Sequence, residues 1–596
     1  MAITVDKEAL RRKYREERDK RLRPDGNDQY IHISDLFSPY GEDPFTPVVE
    51  RESRHDHVTV AVVGAGFAGL LTAARLKENG IGRVCLIDSA GDVGGTWYWN
   101  RYPGVQCDTA SMVYMPLLEE TGHMPSEKYA HGPEILTHCR RIANHYDLYQ
   151  DALFHTKLTD LSWDGSRAVW VLRTHRGDEF TAQFVSLGLG PLNVPKLPGI
   201  PGIDRFAGHS FHTSRWDYDY TGGNPDGAPL SRLADKRLGI IGTGATAVQV
   251  IPHLAEWSKH LYVFQRTPSS VDARFNAPMD PAWFDSIATP GWQERWLKNF
   301  ADNQAGGFAE EDLVMDGWTD IARRIKARII ADPPSEWTAE AIWTIYEEAD
   351  LDKMEEIRAR VDSIVSDPAA AERLKAWYRQ LCKRPCFHDE YLHSFNRPNV
   401  SLVDTDGKGV ERITEKGAVV AEIEYELDCI IYASGFETSF DVEWRTGFAV
   451  TGREGVHLAD YWARGMRTMH GTHVHGFPNL FLVQPFQGAN LISNVPHNLY
   501  ESARTISLIV KHTRDHGYHQ VEVSGEAEDA WTELLLSGPG MLIASPDCTP
   551  GYYNNEGRYD DPRIKHMVGY PLGPSAYFDY IDGWRSSGSF EGLSFS

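Results

Sequence analysis

The stretch VTVAVVGAGFAGLLTAARL, residues 58–76, followed by RVCLID at 83–88, decides the fold. An apolar run rich in β-branched residues breaks at a glycine turn, resumes as leucine- and alanine-rich sequence, and gives way to a second apolar run. The reading is strand, turn, helix, strand. A hydropathy scan would take Val58 to Ala74 for a membrane span, but Gly64, Gly66 and Gly69 punctuate it where a strand passes into a helix. With that spacing the turn can approach a pyrophosphate closely and the helix N-terminus supplies N–H donors. Asp88, 24 residues beyond Gly64, stands where an acid binds ribose hydroxyls.

A second unit of the same kind begins at Arg237 with RLGIIGTGATAVQVIPHLAEW and continues into HLYVFQR at 260–266. Here Gly242 and Gly244 are followed by Ala247, a change the helix–sheet contact tolerates. The second strand ends in Arg266 and Thr267 instead of an acid, and a guanidinium there suits the 2′-phosphate of NADP, so NADPH is favoured over NADH. Between about 280 and 380 the sequence turns charged and helix-favouring, and strand signals return near 385.

These signals predict an α/β fold with two Rossmann-like dinucleotide-binding domains and a helical insertion. The expected boundaries are an N-terminal extension at 1–57, the first domain at 58–192 and the second at 193–279. The helical insertion then takes 280–380, the second domain resumes at 381–430, and the first resumes at 431–596 with C-terminal loops. The extension, DKEALRRKYREERDKRLRP from Asp6, reads as a solvated helix, not a signal or transit peptide.

At 596 residues the chain has room for three to four domain-sized units and a cleft between them. Its net charge of −24 excludes a nucleic-acid backbone or an anionic membrane as the main partner. Seven scattered cysteines with no C-x-x-C predict thiols in a reducing compartment, the cytoplasm, and exclude a dithiol active site. On that reading Cys382 and Cys386 are incidental neighbours. His470, His473 and His475 lack an acidic or cysteine companion, so they read as a histidine-rich loop and no metal site is expected.

Two dinucleotide sites in one chain imply hydride transfer from a nicotinamide to a flavin, hence FAD in the first domain and NADP in the second. Without a redox dithiol, O2 is the remaining obvious acceptor. Between the glycine motifs stands FAGHSFHTSRWD, with Phe206, Gly208, His212, Trp216 and Asp217 in order. This resembles the fingerprint of the type I Baeyer–Villiger monooxygenases. GDVGGTWYWNRYPG from Gly91, CDTAS around Asp108, QRTP and YELDCIIYASGF resemble the same family's cofactor segments.

The resemblance implies a flavin lined by Gly95, Thr96, Trp97, Gln106, Cys107, Asp108 and Tyr114. It also implies a pyrophosphate held by Thr243, Gly244, Ala245, Thr246, Ala247 and Gln249, with the 2′-phosphate on Arg266, Thr267 and Lys383. Arg384, in LCKRPCF, matches the family's active-site arginine, oriented by Asp108. The implied reaction is attack of a C4a-peroxyflavin on a ketone to give a lactone or ester, with His212 structural or conformational and not a base. The N-terminal extension and CTPGYYNNEG, 548–557, resemble members that accept bulky rings, among them polycyclic sesquiterpenoid keto acids of antibiotic biosynthesis. Thr549 falls where a tryptophan is frequent, which implies a more open pocket. The rival expectations are an N- or S-oxygenating flavin monooxygenase, which Trp216 and Arg384 argue against, and a non-catalytic flavin-binding protein.

Overall fold

The computed structural model describes residues 6–304, 309–438, 441–484, 486–489, 494–538, 546–559 and 561–596. Two sheets organise it. In the first, strands run in the order Ala449–Thr451, Leu158–Asp164, Val169–Thr174, Glu179–Leu187, His57–Val63 and Val84–Ile87, and Leu480–Leu482 joins Glu179–Leu187. The three strands Glu179–Leu187, His57–Val63 and Val84–Ile87 are parallel, as a βαβ crossover requires. The helix Phe67–Glu78 lies between them in sequence and is buried nearly all round. The long helix Val495–Asp515 covers it, which explains why its sequence is apolar on every face.

The second sheet has five strands, all parallel, in the order Val400–Asp404, His260–Gln265, Arg237–Ile241, Cys429–Tyr432 and His209–His212. The strand Cys429–Tyr432 runs past 430, so the second domain extends at least to Tyr432 rather than ending at the expected boundary. Its β-branched run fits a strand buried on both faces, and periodicity alone gave no stop signal before Ala433. The region 280–380 is helical, with Trp292–Gln304, Gly317–Ala331 and the 26-residue Ala339–Ile364 as its main members.

Two expectations are corrected. The N-terminal helix Lys7–Asp19 is not simply solvated, because Leu10 and Tyr14 are buried against Leu351 and Trp377. Two apolar positions one turn apart suffice for a docking stripe even in so charged a sequence. The cysteines are not all thiols: Cys382 is bonded to Cys548, 166 residues away. A pairing between two distant loops leaves no local spacing to read. It also removes the argument from cysteine usage to a reducing compartment, since the other five cysteines are free but buried. No helix among the described residues is long and apolar enough to cross a membrane.

Candidate functional site

A cavity of about 1040 Å³ opens at the C-terminal ends of the first sheet's parallel strands, where ligands of open α/β sheets bind. Gly64, Gly66, Asp88, Gly95, Thr96 and Tyr114 line it. The backbone there is bare of necessity. Gly64 has φ +100° and a Cβ on it would lie 2.3 Å from the carbonyl oxygen of Gly188, while one on Gly95 would lie 2.7 Å from the Cα of Gly66. Two strands and a turn thus close into a cradle that only a slender, phosphate-like group can approach. Asp88 is raised above the usual carboxylate range by burial, and its oxygens accept from the N–H groups of Ala65 (2.6 Å) and Ala90 (2.8 Å). Trp97 also lines the cavity, its ring meeting Tyr114 edge-on at 5.7 Å.

Gly69 is structural instead. A Cβ on it would lie 1.8 Å from the oxygen of Gly64, so it is what lets the helix close onto the turn. Gln106 and Cys107 lie outside the cavity walls. Gln106 Nε2 donates to the Tyr129 carbonyl at 2.7 Å, and burial pushes the Cys107 thiol above its ordinary value. Gln249, on the second unit's helix Ala245–Trp257, is equally occupied. Its Nε2 donates to the Gln106 carbonyl (2.7 Å), and its Oε1 accepts from Tyr102 OH (2.8 Å) and from the Gln106 N–H (3.4 Å). This amide pins the two nucleotide units together.

Arg384 and Asp108 meet across 276 residues. Nη1 and Nη2 donate to Oδ2 and Oδ1 at 2.6 Å each, a bidentate pair. Burial would lower the guanidinium, but the Asp108 carboxylate outweighs it and holds Arg384 well above its ordinary pKa. Nη1 also donates to the Pro385 carbonyl at 2.9 Å. Three of its five N–H groups are therefore used, leaving one on Nε and one on Nη2 for a ligand, as Arg384 lines the cavity. Trp318 Nε1 donates to the Asp108 carbonyl (2.9 Å), and its ring lies 5.4 Å from the guanidinium carbon.

Sequence reasoning missed Trp318, Tyr552 and Tyr553, which face the same cavity end, and Arg274. Burial lowers Arg274, with the charges of Asp108 and Asp389 opposing. Tyr552 and Tyr553 lay in a quoted segment; Trp318 and Arg274 carry no local signal. Thr549 is corrected too. It lies away from the large cavity, almost fully buried, and lines a small cleft of about 140 Å³ with Thr267 and Arg21.

In the second unit Gly242 takes φ +117°, and a Cβ on Gly244 would meet nothing within 4 Å, leaving open space at the N-terminus of the helix Ala245–Trp257. Thr243 Oγ1 donates to the Thr267 carbonyl (2.6 Å), and Ala247 is buried against the sheet. Thr246 and Ala245 sit in the helix's first turn. Lys383 is pushed down to about 8 by burial, with Arg266 and Arg21 adding to the effect and Glu556 opposing it. A buried ammonium crowded by guanidinium groups is an environment that a dianionic phosphate relieves.

The fingerprint residues are packing elements. A Cβ on Gly208 would lie 2.5 Å from the Phe206 ring and 2.8 Å from the Asp428 oxygen. Trp216 is buried and its Nε1 donates to Thr221 Oγ1 (3.1 Å), while Asp217 caps the turn after it by accepting from the Tyr220 N–H (2.8 Å). His212 ends a strand of the second sheet, and burial pushes it down to about 3, so it is a neutral imidazole against Ser214 and no base near neutral pH. His470 packs edge-on against Trp531 and Trp584, His473 is buried, and His475 Nδ1 contacts the Val523 carbonyl at 2.9 Å.

Residues 62–150 match the NAD(P)-binding Rossmann-like domain. The chain is 49% identical to neopentalenolactone D synthase of Streptomyces avermitilis over 98% of both chains. It is 46% identical to a Baeyer–Villiger monooxygenase of Stachybotrys chlorohalonatus, over 99% of this chain and 95% of that one. The solved polycyclic ketone monooxygenase of Thermothelomyces thermophila matches with a TM-score of 0.92 and 39% identity over 99% of each chain.

Proposed function

The chain belongs to the Baeyer–Villiger monooxygenases, and from that premise we propose that it uses FAD, NADPH and O2 to convert a bulky cyclic or polycyclic ketone into a lactone or ester. The observation that carries the site assignment is the bidentate Arg384–Asp108 pair at the wall of the large cavity. FAD fits the glycine cradle of the first unit, and when bound it supplies the redox chemistry, accepting hydride and activating O2. NADPH fits the second unit, its pyrophosphate at the helix N-terminus beyond Gly244 and its 2′-phosphate on Arg266, Thr267 and Lys383. We place the enzyme in the cytoplasm, where both NADPH and O2 are at hand.

Arg384 acts by position. Asp108 takes one edge of the guanidinium and fixes its plane, so the free N–H groups on Nε and Nη2 point at the reacting carbonyl oxygen, where negative charge develops. Preorganised donors of this kind are worth about 2.7–4 kcal/mol in a site closed to water. Phe300, Trp318, Leu381, Leu499, Tyr552 and Tyr553 line the same cavity, an apolar and aromatic wall that favours a large ring system and excludes water from it. The relatives' names point to a polycyclic ketone as substrate and to neopentalenolactone D as product. The test is product analysis with NADPH and O2 over macrocyclic ketones, steroid ketones and a tricyclic sesquiterpenoid keto acid. The expected result is a mass gain of one oxygen as lactone. Peroxide alone across the whole panel would overturn the reading of the substrate class.

The Lys383 assignment predicts a pH dependence. In the free enzyme this ammonium titrates near 8, and a bound 2′-phosphate raises that value, so NADPH binds better to the protonated form. KM for NADPH is then flat below about pH 8 and climbs above it, approaching tenfold per pH unit. KM for NADH stays flat over the same range, and Lys383→Arg removes the dependence. Equal pH profiles for the two coenzymes would contradict the assignment.

A further inference from the structure

The segment preceding the first strand reaches into the second nucleotide unit at the residues assigned to the 2′-phosphate. Arg21, almost fully buried, donates from Nε to the Arg266 carbonyl and to Thr267 Oγ1, each at 3.1 Å. Its Nη1 donates to the Glu17 carboxylate at 2.8 Å, and Nη2 makes no hydrogen bond among the described residues. Gln29 Oε1 accepts from Arg266 Nη1. The Tyr30 hydroxyl lies 3.5 Å from Arg266 Nη2 and donates to Glu556 at 3.2 Å, and Glu556 itself lies 3.4 Å from Nη2. The segment is anchored independently of these side chains. Tyr30–Ile31 pairs antiparallel with Leu197–Pro198, the Gly199 N–H donates to the Gln29 carbonyl (2.8 Å), and the Lys196 ammonium sits 3.8 Å above the Tyr30 ring.

Arg21, Arg266 and Lys383 thus lie close enough to act on one another's charge, Lys196 acts on Arg266 as well, and the carboxylates paired with these groups include Glu17, which Arg21 holds, and Glu556. Positive charge gathered in this way calls for a counter-anion, and a guanidinium with an unused nitrogen is a donor for one. We propose that residues 17–30 are part of the coenzyme site, with Arg21 a third cation for the 2′-phosphate and Gln29 and Tyr30 positioning Arg266, so that the N-terminal segment sets the preference for NADPH over NADH. This rests on the assignment of Arg266, Thr267 and Lys383 made above.

The experiment is steady-state kinetics of the FAD-loaded enzyme with NADPH and NADH for Arg21→Gln, Arg21→Lys, Gln29→Ala and Arg266→Ala. Arg21→Gln is expected to raise KM for NADPH about tenfold, the loss of a charge-assisted hydrogen bond, with no matching rise for NADH. Arg21→Lys recovers most of the loss, and Gln29→Ala shifts the preference in the same direction by loosening Arg266. If Arg21→Gln does not load FAD, Arg21→Lys and Gln29→Ala carry the measurement, and both must lower the NADPH preference. Equal rises for both coenzymes, or none, beside a collapsed preference in Arg266→Ala would overturn the role of the segment and leave the 2′-phosphate site standing. An unchanged preference in Arg266→Ala would overturn that site and the inference with it.

Discussion

Replacing Arg384 by alanine leaves NADPH able to reduce the flavin while lactone formation falls by about 10²–10³-fold or more. The separation follows from geometry. Arg384 borders the cavity beside Asp108, whereas the proposed coenzyme contacts are the N-terminus of the second unit's helix and Arg266, so hydride delivery is not expected to need this guanidinium. The oxygen-transfer step does, because Nε and Nη2 of Arg384 offer donors at that wall to the charge that develops on the carbonyl oxygen. Alanine also strands a buried carboxylate, a loss of about 3–5 kcal/mol when one partner of a buried pair is removed. Arg384→Lys therefore belongs in the same experiment. It keeps a charge near Asp108 and should fold, yet it cannot reproduce the fork, so its lactone yield should stay far below wild type. Flavin bleaching under anaerobic NADPH and lactone yield under air are the two measurements, and equal lactone from Arg384→Ala would end the assignment.

Gly69→Ala is expected to abolish FAD loading. The added methyl would lie 1.8 Å from the Gly64 oxygen and 3.3 Å from Val62 Cγ1, and both neighbours belong to the turn and strand that form the cradle. No side chain can swing aside, so the backbone must part, at about 3 kcal/mol or more by analogy with the costlier overpacked cores. Gly244→Ala at the equivalent turn of the second unit is the control. Its φ of −75° suits alanine and its methyl meets nothing within 4 Å, so that variant should be as yellow as wild type. Normal flavin absorbance and an unchanged Tm in Gly69→Ala would refute the packing argument.

What could be read in the sequence was what is local in it. Both βαβ units announce themselves within thirty residues, since strand, glycine turn and helix are consecutive. Arg384 and Asp108 were legible only through resemblance, because a Lys-Arg pair among helices has no local mark of catalysis. The unread features share a cause. The Cys382–Cys548 bond, the packing of Leu10 and Tyr14 on Leu351, the grip of Gln29 on Arg266, and the turn of Thr549 away from the large cavity all join segments far apart in the chain. Gln106 and Gln249 are a different case: the Gln106 side chain is taken up by the Tyr129 carbonyl and the Gln249 side chain by the Gln106 backbone, partners that no local pattern marks.

That last contact sets an energy scale for movement of one nucleotide unit against the other. One side chain, Gln249, makes three hydrogen bonds across the boundary, and each is worth about 1 kcal/mol net. All three share a single amide, so they are lost together. The bidentate Arg384–Asp108 pair and the Trp318–Asp108 bond also hold the first unit, so these must break as well before the units part. The joined register is therefore the resting state, and any movement of one unit against the other draws on a coenzyme's differential affinity for the two arrangements.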